Sequence, residues 1–331
     1  MSGTLLHNEP LSRHTSWRVG GPADRYYEPS DRADLIAFVR GLPESEPILW
    51  IGLGSNLLVR DGGVRGTVLS LHGALEQLDK TGEAEITAEA GVHCARMAKF
   101  ATGEKLAGAG FFAGIPGTVG GALAMNAGAH GGETWNCVKA VEVLYRDGRA
   151  AWLPKSEFRY GYRHVEWPQG MVGFLAARFE FVPDLTGTAA QDMKGWLARR
   201  KATQPVGKPS AGSTFRNPPG DHAARLIESC GLKGHRLGTA QVSTLHANFI
   251  ITDEDARAAD VEALIAQLRE AVREKTGVEL IPEVKVVGEP GVAECPVDIR
   301  PGERPATDGR AGGDSSNCSR ATDGDRRGED K

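Results

Sequence analysis

Glycine gathers in three stretches of this chain, Gly52 to Gly66, Gly103 to Gly132 and Gly207 to Gly238, and that unevenness constrains the fold more than any other feature. A residue without Cβ is needed where backbone turns sharply or where something approaches it closely, and 43 glycines in 331 residues supply many such places. "GLGSNLLV" sets Gly52, Gly54, Ser55 and Asn56 directly after an apolar run. "GIPGTVGGALAMNAGAHGG" offers Gly114, Gly117, Gly120 and Gly121, with Pro116 fixing a turn. Loops of this kind can aim successive backbone N–H groups at an anion, and a dinucleotide pyrophosphate is the natural occupant. Neither is a Rossmann fingerprint, because Leu57 stands where the last glycine of GxGxxG belongs, and no GxxxxGK[ST] occurs. On the residues alone, tight turns explain both loops equally well.

The segments between the loops mix helices and strands. "SDRADLIAFVRG" has Leu35, Ile36 and Val39 on one helical face, and "PILWIGLGSNLLVRDGGVRGTVLSL" reads as three strands of one compact unit. "AVEVLYRDGRAAWLP" is a hairpin around Asp147-Gly148. A helix is expected over Gln191–Lys201, another after an Asp221 N-cap, and a third over Glu254–Thr276 with Val261, Leu264, Ile265, Leu268 and Val272 in one stripe. The length calls for two or three domains. Beyond Pro290 the sequence lacks large apolar residues and is expected to be disordered.

Composition narrows the function. With 40% hydrophobic and 25% charged residues the chain is globular, and a net charge of −4 gives no reason to expect nucleic acid. No apolar run approaches the ~20 residues of a membrane span, and "MSGTLLHNEPLSRHTS" lacks the pattern of a signal peptide, so the cytoplasm is the expected compartment. Five cysteines without CxxC spacing argue against a disulfide framework or a metal site.

Three further constellations carry candidate chemistry. "KPSAGSTFRNP" places Ser213 in a turn bounded by Gly and Pro, with Arg216 and Asn217 beyond it and Arg199, Arg200 and Lys201 upstream. "FRYGYRHVEW" contains Tyr162 and Arg163, the latter able to fork onto a carboxylate or phosphate. "LIPEVKVVG" contains Glu283 between apolar neighbours. Each alone has a plain structural explanation: a turn serine, a surface arginine closing a hairpin, a solvated strand carboxylate.

Taken in order, "HTSWRVGGPAD", "GLGSNLLVRDGG", "AGIPGTVGGALAMNAGA", "YRH", "QPVGKPSAGSTFRNP", "LIESCGLKGHRLGTAQVSTLHANFI" and "PEVKVVG" resemble the UDP-N-acetylenolpyruvoylglucosamine reductase (MurB) family, over about residues 5 to 288. The resemblance implies an α+β flavoenzyme with the FAD-binding fold of the vanillyl-alcohol-oxidase/MurB type. Two FAD-binding subdomains are expected over 1–70 and 71–200, a substrate domain over 201–290 and a tail over 291–331. It implies FAD and NADPH as cofactors, a UDP-sugar enolpyruvate as substrate, and a monomer with no nucleic-acid or membrane partner. Gly52, Gly54, Ser55, Asn56, Leu57, Pro116, Gly117, Thr118, Gly120, Gly121, Asn126 and Gly128 are the implied cofactor contacts.

In the family, hydride reaches the enol-ether carbon distal to the carboxylate, and negative charge develops on the carbon beside it. By resemblance Arg163 stabilises that charge, Glu283 lies beside the same carboxyl group in protonated form, and Ser213 gives the proton. Tyr162, Lys201 and Asn217 are the implied substrate contacts; Lys201 matches a lysine that meets nucleotide phosphates. The sequence departs from the family pattern at Val165, where a serine is usual, and the interval from Arg163 to Gln204 is short, as in members without an extra tyrosine-bearing loop. The competing readings are another flavin oxidase or dehydrogenase of the same fold, a serine hydrolase using Ser213 with His222, His235 or His246, and a nucleotide-binding sensor.

Overall fold

The computed structural model describes residues 2–71 and 73–291, so the expectation of a disordered tail lies outside the described residues. The first sheet runs Thr4–Pro10, Pro22–Glu28, Val64–Ser70, Ile48–Ile51, antiparallel at its first pair and parallel thereafter. Parallel neighbours need a crossover, and the helix Arg32–Gly41 provides it. Its Asp31 N-cap accepts from the Asp34 backbone N–H, and Leu35 and Val39 are buried completely.

The strand Leu57–Val59 was expected in this sheet but leaves it. It pairs in parallel with Lys285–Val287 at the far end of the chain. Leu58 and Val59 are both fully buried, so the apolar run reads as a strand correctly, and only its partner is non-local. The consequence is functional: the end of the described chain is brought beside the first glycine loop.

A five-stranded antiparallel sheet follows, in the order Ala150–Pro154, Val138–Tyr145, Met171–Glu180, Glu85–Glu89, Leu78–Lys80. The expected hairpin is present: the Gly148 N–H donates to the Tyr145 carbonyl, with Gly148 at φ 83°. Trp135, Phe158, Phe174 and Phe179 pack in one buried cluster with the helices Cys94–Gly103 and Val119–Met125. Such aromatic burial dominates core energetics.

Towards the end of the described chain a three-stranded sheet, Arg236–Leu237, Ala240–Val242 and Ile250–Thr252, packs against the helix Ala258–Thr276. All five residues of the predicted stripe are buried. The helix begins at Ala258 rather than Glu254 because its first amides have a distant partner. Asp61, from the "RDGG" turn, accepts from the Ala258 N–H at 2.8 Å and the Ala259 N–H at 2.9 Å. The expected Asp221 cap is also displaced: His222 is the N-cap of Ala223–Ser229, and the Ala223 N–H donates to Asn217 Oδ1 at 3.1 Å. The helix expected over Gln191–Lys201 spans Ala189–Thr203.

Asp61→Ala is expected to cost about 1 kcal/mol, the usual size of a lost cap, and to lower the thermal midpoint by a few degrees. A melt unchanged from the parent would show that the long-range cap contributes nothing. The neighbouring Arg60–Glu262 pair is more than a third exposed on both sides and adds little.

Candidate active site

Between strands Ile48–Ile51 and Leu57–Val59 the chain makes its first glycine turn. Gly54 sits at φ 58°, and a Cβ there would lie 2.1 Å from the His14 carbonyl oxygen, so only glycine fits. Among the described residues, no backbone or side-chain acceptor takes the N–H groups of Leu53, Gly54, Ser55, Asn56 or Thr118. Backbone N–H groups are obligatory donors, so five of them left without protein partners along one wall mark a place for an acceptor from outside the chain.

These amides edge an apolar cavity of about 300 Å³, lined by Gly52, Gly54, Leu57, Gly117, Thr118, Gly121 and the rings of Trp50 and Trp167. It opens into a polar cleft of about 510 Å³; Ser55, Asn56, Ile115, Met125 and Ala127 line both. Pro116, Gly128, Arg163, Ser213 and Glu283 face the cleft. Gly120 lies in a small side chamber.

Arg163 occupies the two-residue turn of the hairpin Arg159–Gly161 and His164–Glu166, at φ 56°. That left-handed conformation is unusual for a bulky residue and persists only where surroundings enforce it. Its Nε donates to Glu283 Oε1 at 2.7 Å, Nη2 to the Gly128 carbonyl at 3.1 Å and Nη1 to the Asn126 carbonyl at 3.4 Å. Both side chains of the ion pair are less than 15% exposed, at 14% and 12%. Glu283 thus faces a guanidinium, whereas its sequence neighbours suggested apolar surroundings. Val165, at the position where a serine is usual, is buried in the core, and Arg163 is oriented by backbone carbonyls.

Ser213 comes to Glu283 through a local clamp. The Glu283 N–H donates to the Thr214 carbonyl at 2.8 Å, and Phe215 bridges Pro282. Asn248, 4% exposed, holds the other side: its Oδ1 accepts from the Phe215 N–H and its Nδ2 donates to the Phe215 carbonyl. This gives "HANFI" its purpose. No described side chain hydrogen-bonds the Ser213 hydroxyl; His246 accepts from the Asn248 N–H and His235 meets Gln267. A hydrolase would need an imidazole on that hydroxyl.

Other predicted positions lie outside the cavity lining. Asn126 is fully buried, with Nδ2 donating to Glu133 and the Gly161 carbonyl and Oδ1 accepting from the Trp135 N–H. It braces the Arg163 hairpin from behind. Asn217 caps a helix, Tyr162 stacks on the Arg163 guanidinium at 4.8 Å, and Lys201 is exposed. Besides Arg163, the cations that reach the cleft are Arg199 and Arg200, beside Thr203, Gln204 and His130. Burial, then Arg200 and Arg199, hold the His130 imidazole below its ordinary range. "ARRK" in the sequence announces the basic cluster, but nothing in the sequence announces His130, whose ring stacks on Trp196 at 5.2 Å.

Comparison with known proteins decides the family. Residues 204–287 match the model of the UDP-N-acetylenolpyruvoylglucosamine reductase C-terminal domain, and residues 23–153 match an FAD binding domain. The UDP-N-acetylenolpyruvoylglucosamine reductase of Methylococcus capsulatus is 56% identical over 287 residues, 87% of this chain and 94% of its own. The chain belongs to the UDP-N-acetylenolpyruvoylglucosamine reductase family. The Alkalilimnicola ehrlichii relative of the same name is also 56% identical, over 87% of this chain and 96% of its own. A crystal structure of the Thermus caldophilus member superposes with a TM-score of 0.72 at 33% identity, covering 86% of this chain and 99% of that one. The family's α+β fold and FAD-binding domain are therefore those of this chain. Among the described residues no helix is long and apolar enough to cross a membrane.

Proposed function

We propose that the chain reduces UDP-N-acetylglucosamine enolpyruvate to UDP-N-acetylmuramate, with FAD as bound cofactor and NADPH as reductant, in peptidoglycan precursor synthesis. The observation that carries this reading is the convergence of Arg163, Glu283 and Ser213 on a cleft continuous with an apolar cavity edged by unpartnered amides. The residues present fit a flavin dinucleotide. The N–H groups of Leu53 to Asn56 and Thr118 are donors for its pyrophosphate, and the apolar wall takes its rings. When bound, the flavin supplies the hydride, which it draws from NADPH.

The chain's own residues handle charge and proton. Negative charge developing beside the substrate carboxylate spreads onto its oxygens, where the largely buried Arg163 guanidinium stabilises it. Glu283 fixes the plane of that guanidinium through Nε and stands at the same carboxylate. The Ser213 hydroxyl, held by no described protein partner, delivers a proton to the carbanionic carbon; the strong basicity of that carbon makes a serine an adequate acid. Arg199 and Arg200, which line the cleft, meet nucleotide phosphates in place of Lys201. We take the catalyst to be a monomer working in the cytoplasm, where NADPH and sugar nucleotides are drawn from common pools.

The test is steady-state turnover. NADPH oxidation is expected to require both FAD and the enolpyruvyl sugar nucleotide. Oxidation indifferent to the sugar nucleotide would overturn the assignment.

A further inference from the structure

Arg216, three residues after Ser213, has no part in the chemistry above, yet its guanidinium is placed with care. Its Nη2 donates to the backbone carbonyl of Arg163 at 3.2 Å. Its Nε is buried and, among the described residues, has no hydrogen-bond partner. Leaving a guanidinium nitrogen buried and unpaired is costly, so the Nη2 hydrogen bond must be backed by a second hold on the residue. Its backbone provides that hold: the Arg216 N–H donates to the Ile281 carbonyl at 2.9 Å, two residues before Glu283.

The contact matters because of the conformation it meets. The turn at Tyr162 and Arg163 places Arg163 at φ 56°, and such a residue stays there only if its neighbours over-determine it. On the entry side, Asn126 Nδ2 holds the Gly161 carbonyl at 2.9 Å. On the exit side, Arg216 holds the Arg163 carbonyl itself. We infer that Arg216 is a positioning residue for the reduction: it ties the segment carrying the proton donor Ser213 to the turn carrying the charge-stabilising Arg163. This rests on the function proposed above. It deepens that reading, because the two groups must act on adjacent atoms of one substrate, and a strut between them fixes their separation.

The test uses the FAD-loaded full chain and follows its two half-reactions separately. Arg216→Met keeps the length of the side chain and removes the donors. It is expected to lower kcat for enolpyruvate reduction by about 10- to 100-fold, the scale of a small misplacement of a reacting group. Flavin reduction by NADPH stays within about twofold of the parent, and KM moves less than kcat. Arg216→Lys, which retains a donor, recovers most of the loss and covers the case in which the Met variant fails to fold. In an Arg163→Lys background, Arg216→Met adds less than its single effect, because the group it positions is already altered. Equal slowing of both half-reactions, full additivity with Arg163→Lys, or parental kinetics in Arg216→Met would each overturn the inference. A parent enzyme that does not reduce the enolpyruvate at all would overturn the functional proposal instead.

Discussion

Ser213→Ala is expected to leave flavin reduction by NADPH intact and to slow reduction of the enolpyruvyl sugar nucleotide by about 10²- to 10⁴-fold, the range of a lost general acid. The separation of the two effects follows from where the hydroxyl sits. It faces the cleft and hydrogen-bonds no described protein group, so its removal breaks nothing that holds the fold. The clamp that positions it is made by the backbone of Thr214 and Phe215 with Asn248 and Glu283, all unchanged in the variant. Alanine also fits the half-buried position without strain. Stopped-flow absorbance under anaerobic conditions reads each half-reaction alone. If both slowed together, the serine would be serving the architecture of the cleft and not proton delivery.

Arg163→Lys is expected to cost about 10²- to 10³-fold in the same half-reaction, comparable to removing a donor aimed at developing negative charge. The charge is conserved, so the loss tests geometry. One ammonium cannot reproduce three directed contacts, to Glu283 Oε1, the Gly128 carbonyl and the Asn126 carbonyl, while also meeting a carboxylate. The deficit should appear chiefly in kcat, because the interaction strengthens as charge develops. A deficit confined to KM would assign Arg163 to substrate binding alone.

The pattern of what was legible in the sequence has a physical basis. The stripe of Ala258–Thr276 and the Asp147-Gly148 hairpin are local periodicities, and both formed as expected. Arg163, Ser213 and Glu283 were singled out through the family resemblance of short motifs, and they line one cleft. The parallel pairing of Leu57–Val59 with Lys285–Val287, the Asp61 cap on a helix nearly two hundred residues away, and the Asn248 clamp leave no local trace. They are contacts between segments whose own patterns are complete without them. Lys201 illustrates a subtler limit. On a helix, Arg200, Thr203 and Gln204 share a face, and the next residue after Arg200 turns away by about 100°. A motif shows a basic cluster but not which member of it points inward. Asn126 and Asn217 show the same for amides: each is spent on protein backbone, one bracing the Arg163 hairpin and one capping a helix.

The most direct test of the account is an anaerobic titration of the FAD-loaded protein followed by its flavin absorbance. NADPH should bleach the flavin, and stoichiometric UDP-N-acetylglucosamine enolpyruvate should then restore the oxidised spectrum while UDP-N-acetylmuramate appears. A flavin that NADPH reduces but that the enolpyruvyl sugar nucleotide leaves reduced would contradict the assignment of Arg163, Glu283 and Ser213 to its reduction.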